Sequence, residues 1–139
     1  MAALKAIRLD NNSLAADAMA QMSKGDWPLL ERLCLCRLSL DATALLHLSS
    51  GNWPCLKKLD VCNNEHPLSS KAISHLSDAQ WPLLEWLCLA NNGFNKASVL
   101  MELSKAYWPL LKTLQISLNH FEPEAASQLV RAHWRSWRA

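Results

Sequence analysis

The side chains of this 139-residue chain that are best suited to chemistry are its five cysteine thiols. Cys34 and Cys36 are two positions apart, and Cys62 follows Asp60 at the same spacing. Thiolates are good ligands for zinc or copper(I), and a carboxylate can complete such a site. Two neighbouring thiols, such as those of Cys36 and Cys62, can instead form a redox pair if their backbones lie at disulfide distance. Whether these groups meet depends on the elements that carry them.

Other groups that could support catalysis are few. The five histidines do not occur at spacings that would bring one of them beside a cysteine or serine in the fold predicted below. Asp10 and Asp60 would lie on strands that are not neighbours in that fold. Three glycines are too few for a glycine-rich phosphate loop. We therefore expect no enzymatic activity, no small-molecule substrate and no cofactor.

A repeated sequence frame organises most of the chain. It reads W-P-x-L-x-x-L-x-L-x-x-N, and its Trp-Pro pairs begin at Trp27, Trp53, Trp81 and Trp108. A period of this length indicates a solenoid or another repeat architecture. We expect one domain, 1–139, with units at 1–26, 27–52, 53–80, 81–107 and 108–133 and a partial closing unit at 134–139.

Each unit contains a strand pattern followed by a helix pattern. The segment L-x-x-L-x-L alternates apolar and variable positions, as a strand does, and the residues after it have helical spacing. After Leu40, for example, Ala44 and Leu48 recur at helical intervals. A strand followed by a crossover helix, repeated along the chain, predicts an α/β fold. We expect a right-handed βα solenoid with about five parallel strands on one side and five helices on the other.

Two residue types of the frame and one glycine lead to local predictions. The frame asparagine is expected to bond backbone groups of the adjacent turn that no sheet partner reaches. The second unit has Leu38 at this position, so we predict a local gap there. The four frame tryptophans are expected to pack between the end of a helix and the start of the next strand. Gly25 is expected to end the first helix in a left-handed conformation.

The frame is similar to that of the leucine-rich repeat family, L-x-x-L-x-L-x-x-N-x-L, over almost the whole chain. Its period and its helical second half resemble the ribonuclease-inhibitor-like class best. The resemblance implies an arc with the strands on the concave side and the helices on the convex side. It also implies a scaffold that binds another protein, because the family uses this fold with many different partners.

The concave face of such an arc is formed by the variable strand positions. Trp86 is the one large aromatic residue among them that the repeat does not require. Lys58 should lie beside it and Arg32 one strand further, because neighbouring strands are about 4.8 Å apart. A tryptophan flanked by cations is typical of the centre of a protein-binding surface. The residues predicted to contact a partner are Trp86, Lys58, Arg32, Asp60, Arg8, Cys88 and Gln115.

Two alternatives to this protein-binding function remain open. One is a thiol-based metal or redox site at Cys34, Cys36 and Cys62 with Asp60. A flat sheet directs its side chains in parallel, whereas a tetrahedral site needs them to converge, so we expect no bound metal. The other is a structural fragment of a larger repeat protein, since the apolar ends of a solenoid need caps. Uncapped ends would also permit end-to-end self-association.

Composition sets the remaining expectations. The net charge of +2 is too small to favour nucleic acid or a membrane surface as the partner. The basic and aromatic tail, residues 131–138, is expected to be a broken sixth repeat rather than such a contact. The first residues lack the apolar run of a secretion signal, and no apolar stretch is long enough for a transmembrane helix. We expect a cytoplasmic protein with reduced thiols.

Overall fold

Five parallel strands form one side of the fold in the computed structural model, which describes residues 4–14, 16–64, 68–125 and 127. The strands lie in chain order across one sheet, and each pairs with the equivalent residues of the next. Each strand is short, so the sheet is narrow and consists of one strand per unit. The bounds are β1 Ala6–Arg8, β2 Arg32–Cys34, β3 Lys58–Asp60, β4 Trp86–Cys88 and β5 Thr113–Gln115.

One helix follows each of the first four strands, and helices of neighbouring units pack together. The bounds are α1 Ala16–Ser23, α2 Ala42–Ser50, α3 Ser70–Ser77 and α4 Ala97–Ser104. The predicted fold class, an α/β solenoid of parallel strands with helices between them, is confirmed. Of the predicted fifth helix, the described residues 123–125 and 127 have 3-10 geometry, and residue 126, the residues from 128 onward and the tail lie outside the described residues. No helix in the described part of the chain is long and apolar enough to cross a bilayer.

Side-chain capping sets where two of the helices begin. The Asp41 carboxylate accepts a hydrogen bond from the Ala44 N–H (2.8 Å) at the start of α2. The Ser69 hydroxyl accepts from the Ala72 N–H (3.2 Å) at the start of α3. These caps satisfy backbone donors of the first helical turn that have no partner within the helix.

The apolar core lies between the sheet and the helices. The central leucines of β2, β3 and β4 (Leu33, Leu59 and Leu87) are fully buried. Ala44 and Leu48 of α2 are buried opposite them, as their helical spacing predicts. A leucine removed completely from water contributes roughly 1.5–3 kcal/mol. Because every unit supplies the same inward positions, the layers stabilise one another along the solenoid.

Asparagine side chains connect successive units at the turn that follows each strand. The Oδ1 atom of Asn64 accepts from the backbone N–H groups of Leu38 (3.2 Å) and Leu40 (3.1 Å) in the preceding unit. Its Nδ2 atom donates to a carbonyl oxygen of its own unit at 2.7 Å. Asn92 and Asn119 likewise accept from backbone N–H groups of the units before them. The frame asparagines therefore form a ladder across the units.

The ladder is interrupted at Leu38, where the sequence predicts a gap. Leu38 is packed in the core and has no side-chain amide that could accept hydrogen bonds from backbone N–H groups of the first unit. The bonds that the Asn12 side chain makes, to Leu9 O (2.8 Å) and Asp10 O (3.4 Å), remain within its own turn. An open cleft of about 610 Å³, lined in part by Asn12, Leu14 and Leu38, lies between the turns of the first two units.

The frame tryptophans stack in two pairs between the helix ends and the next strands. The ring centroids of Trp27 and Trp53 are 6.2 Å apart, with their planes 12° from parallel. Those of Trp81 and Trp108 are 6.0 Å apart, with an angle of 17°. Trp53, Trp81 and Trp108 are almost completely buried. Their role is packing between units, as the frame predicts.

The residue two positions before each tryptophan affects how the ring is held. Before Trp53 this residue is Gly51, and the indole N–H donates to Leu48 O at the end of α2 (2.9 Å). A Cβ atom on Gly51 would collide with the Nε1 edge of that ring. Before Trp81 the residue is Ala79, and the Nε1 atom of Trp81 has no hydrogen-bond partner among the described residues.

Gly25 has the same role in the first unit. A Cβ atom there would lie 2.5 Å from the Nε1 atom of Trp27, which donates to Met22 O (2.8 Å). Among the described glycines only Gly93 has a positive φ. The prediction of a left-handed Gly25 is therefore wrong: the position needs space beside the ring rather than backbone freedom.

Replacing Gly51 by alanine should lower the free energy of unfolding by roughly 1–3 kcal/mol, because the added methyl group displaces the Trp53 ring. The direction of this change separates a collision with the ring from an ordinary backbone effect. Gly51 has an ordinary extended conformation (φ −72°), where a glycine-to-alanine change normally stabilises the protein by about 0.4–1 kcal/mol. Urea denaturation followed by circular dichroism measures the change. The exposed neighbour substitution Asn52→Ala should change stability by less than about 0.5 kcal/mol. A stabilised Gly51→Ala variant would contradict this account.

Candidate protein-binding face

Two columns of side chains cross the five strands in register, at the positions where the sequence predicts a concave face. Equivalent residues are direct partners in each strand pair, so members of a column are neighbours. The first column is Ala6, Arg32, Lys58, Trp86 and Thr113. The second column is Arg8, Cys34, Asp60, Cys88 and Gln115.

Trp86 stands near the middle of the first column. It is half-buried, and on one side it is the direct strand partner of Lys58. A shallow depression of about 170 Å³ lies between β2, β3 and β4. Its lining combines apolar surface with charged side chains and consists of Arg32, Leu33, Cys34, Lys58, Asp60 and Trp86. The indole ring of Trp86 therefore helps to form this depression, which we call the recess.

The cations beside this recess have no ion-pair partner among the described residues. Arg32 and Lys58 are both exposed, and neither takes part in a salt bridge within that part of the chain. The adjacent Lys57, in contrast, lies 3.6 Å from the Glu31 carboxylate. The charge of Lys57 is thus partly neutralised, whereas those of Arg32 and Lys58 are available to another molecule.

The other predicted contact residues differ in accessibility. Arg8 is exposed at the edge of the sheet and pairs with the Asp10 carboxylate at 3.2 Å. Gln115 is exposed on the last strand, and Asp60 is half-buried between them. Cys88 is only 4% exposed, so its thiol offers little surface to a partner. Burial raises the pKa of Cys88 to about 12, which leaves this thiol protonated at neutral pH.

Two thiols and a carboxylate meet beside the second column. The Sγ atoms of Cys36 and Cys62 are 2.8 Å apart, and one carboxylate oxygen of Asp60 lies within 4.8 Å of both. We call these three side chains the thiol cluster. Cys34, which the sequence places in the same candidate site, is not a member of it. Cys55 is not a member either and lies outside the strands.

The thiols of the cluster are neutral in this arrangement. Burial is the largest cause that raises the pKa of Cys36, followed by its hydrogen bonds with Cys62 and Asp60. Burial likewise raises the pKa of Cys62, although the Asn63 amide, which donates to its sulfur at 3.2 Å, acts in the opposite direction. Ionising either thiol would place a second negative charge next to the Asp60 carboxylate.

Sequence reasoning placed Cys36 and Cys62 side by side but did not expect their side chains to converge. It assumed that both side chains stand on a flat sheet, but β2 ends at Cys34 and β3 ends at Asp60. The residues after the two cysteines, Arg37 and Asn63, have positive φ (57° and 56°) and turn the chain away from the strand. Cys36 and Cys62 thus stand where the regular sheet ends. Their equivalent position in successive units predicts that they are neighbours, but it does not predict the direction of their side chains.

Comparisons with known proteins identify relatives of the fold only. No family model matches the chain, and no curated protein matches it. A solved structure of leiomodin-1 actin-binding site 2 has a TM-score of 0.66 and 14% sequence identity, over 93% of this chain and 80% of that chain. The tropomodulin C-terminal domain of Caenorhabditis elegans has a TM-score of 0.67 and 16% identity, over 96% of this chain and 84% of that chain.

These comparisons correct the class suggested by the sequence frame. The solved structures that the chain resembles include the leiomodin and tropomodulin domains, so the assignment to the ribonuclease-inhibitor-like class is wrong. The physical reason is that the spacing of apolar residues reports how a strand and a helix stack in a repeated layer. Different classes of βα solenoid meet the same requirement, so the frame predicts the architecture but not the class.

Proposed function

We propose that this chain is a non-catalytic protein-binding module, one repeat domain whose strand face holds a segment of a partner protein. The observation that carries the proposal is the position of Trp86. A half-buried tryptophan next to unpaired cations, in the middle of a sheet face, has the composition of an interface centre. The repeat itself has no need of a large aromatic ring there.

The charges around Trp86 favour a particular kind of partner segment. Arg32 and Lys58 present positive charge on one side of the ring, and the nearest acidic side chain of the recess is Asp60. We infer that the segment carries an apolar side chain that packs on the indole ring and a carboxylate that meets Arg32 or Lys58. Opposite charges across the interface would guide association and fix the register of the segment.

Actin is the first defined protein to test as this partner. The leiomodin-1 structure that shares the fold is an actin-binding site, which supports protein binding by this architecture. At 14% identity the likeness does not extend to individual contact residues. Actin therefore enters as a candidate, alongside capture of other proteins from a lysate. The proposed place of action is the cytoplasm, where the thiols would remain reduced.

The test compares the wild-type chain with a Trp86→Asp, Lys58→Glu double variant, each immobilised and offered first purified actin and then a cell lysate. The matched control is Tyr107→Asp with Lys71→Glu, which makes the same kinds of change at exposed positions off the strand face. All three chains must first show equal circular dichroism and equal unfolding midpoints in urea.

We expect a protein that is retained equally by wild type and control and bound at least about tenfold more weakly by the double variant, as for an interface hot spot. If that protein is actin, the partner is identified at once. Equal capture by all three chains would contradict the assignment of the strand face. Capture of nothing by the wild-type chain would contradict the protein-binding function itself.

A further inference from the structure

We propose that the thiol cluster of Cys36, Asp60 and Cys62 binds a thiophilic divalent cation of the zinc type. The three side chains come from two neighbouring units and point to a common centre, with one ligand atom of each within 4.8 Å of the others. Two sulfurs and one oxygen are a donor set that zinc accepts. Asp60 also lines the proposed partner recess, but the zinc proposal does not depend on partner binding.

The thiol cluster can reach the distances of a coordinated ion by side-chain rotation alone. Tetrahedral zinc with Zn–S bonds of about 2.3 Å needs its two sulfurs about 3.8 Å apart. The Sγ atoms are 2.8 Å apart, so rotations of the two side chains that separate them by about 1 Å would seat the ion. The carboxylate favours zinc over copper(I), because a hard oxygen donor suits the divalent ion better. A water molecule would fill the fourth position.

The backbone around the cluster is held in place, which favours ligand positions that are set before the ion arrives. The Cys36 N–H donates to the Asp10 carboxylate (2.8 Å), and the Cys62 N–H donates to the Asp60 carboxylate (3.2 Å). The Asn63 amide also donates to the sulfur of Cys62. Polar groups of this kind around a metal ligand orient it and increase affinity for the ion.

The charged groups around the cluster are of both signs. Asp10 and Asp60 are the carboxylates near it, and Arg8 pairs with Asp10. The cations Arg32 and Lys58 line the recess that Asp60 also lines.

The thiols of Cys34 and Cys88 also lie near Asp60. Burial, with a smaller contribution from the contacts with Asp60, raises the pKa of both cluster thiols and keeps them protonated. A divalent ion would replace their protons and offset the negative charge of the two thiolates and the carboxylate.

Binding must release protons in a defined number. Zn²⁺ with two neutral thiols and one carboxylate gives a complex of two thiolates and the carboxylate, plus two protons, so charge and atoms balance. Affinity should therefore rise with pH, by up to about one hundredfold per unit from pH 6 to 8, because two protons leave. Adventitious binding to surface carboxylates, which are already ionised, would show almost no such dependence.

The experiment titrates the full chain, reduced and freed of metal, with cobalt(II) as an optical probe and then with zinc against a chromophoric chelator. Cysteine variants are matched: Cys36→Ser and Cys62→Ser remove ligands, whereas Cys55→Ser removes a thiol outside the cluster. Asp60→Asn tests the oxygen ligand without removing a thiol. Circular dichroism shows whether each variant is folded.

We expect one equivalent of cobalt with thiolate charge-transfer absorption in the wild-type chain and in Cys55→Ser. Zinc affinity should fall at least about tenfold in Cys36→Ser, Cys62→Ser and Asp60→Asn. Equal affinity in all variants, or absence of the cobalt absorption, would overturn the proposal. It would also be overturned if the reduced chain binds no zinc and air oxidation instead joins Cys36 to Cys62, since the cluster would then be a redox pair.

Discussion

Replacing Trp53 by alanine should lower the free energy of unfolding by about 3–5 kcal/mol, the usual cost of truncating a buried aromatic side chain. Three contributions are lost together. The ring is 1% exposed, it stacks on Trp27 with a centroid distance of 6.2 Å, and its N–H donates to Leu48 O at 2.9 Å. Because the ring lies between two units, the cavity cannot be closed without moving one unit relative to the other.

Trp86→Ala is the matched control for this prediction, since it makes the same chemical change on the strand face. Trp86 is partly exposed on that face and does not lie between two units, so its truncation should cost about 2 kcal/mol or less. Urea unfolding followed by circular dichroism compares the two, because loss of a tryptophan alters fluorescence directly. Equal destabilisation by the two substitutions would show that the frame tryptophans are not the packing elements between units.

The fold was largely predictable because it follows from periodicity. Spacing alone identified the order of strands and helices, and the alternation within strands placed Trp86 next to Lys58. The burial of Ala44 and Leu48 follows from the same rule. In a repeat protein, each unit supports the same assignment of strand and helix. A misleading residue in one unit therefore has little effect on the predicted fold.

What could not be predicted depends on contacts between specific side chains at points where the regular pattern ends. Gly25 was explained by backbone freedom, whereas the structure shows that the Trp27 ring needs the space. Cys36 and Cys62 were assumed to stand parallel, but they lie beyond the paired part of their strands and converge. Periodicity describes neither a side-chain collision nor a turn, so both required three-dimensional geometry.

Replacing Asn64 by alanine should lower the free energy of unfolding by about 2–5 kcal/mol. The substitution removes the acceptor of the Leu38 and Leu40 N–H groups, and both of those residues are almost completely buried. A buried donor left without a partner costs about 1–3 kcal/mol, and here there are two. The loss of apolar contact is small by comparison, because the Asn64 side chain is polar and stabilises the fold mainly through its hydrogen bonds.

Asn12→Ala is the control that separates this bridging role from the residue type. Asn12 occupies the same place in the frame, but it is exposed, and the bonds of its side chain remain within its own turn. Its replacement should therefore cost about 1 kcal/mol or less. Urea unfolding of the two variants gives the comparison. A similar cost for both would mean that the asparagine only shapes its own turn, and the units would then be held together by apolar packing without help from the ladder.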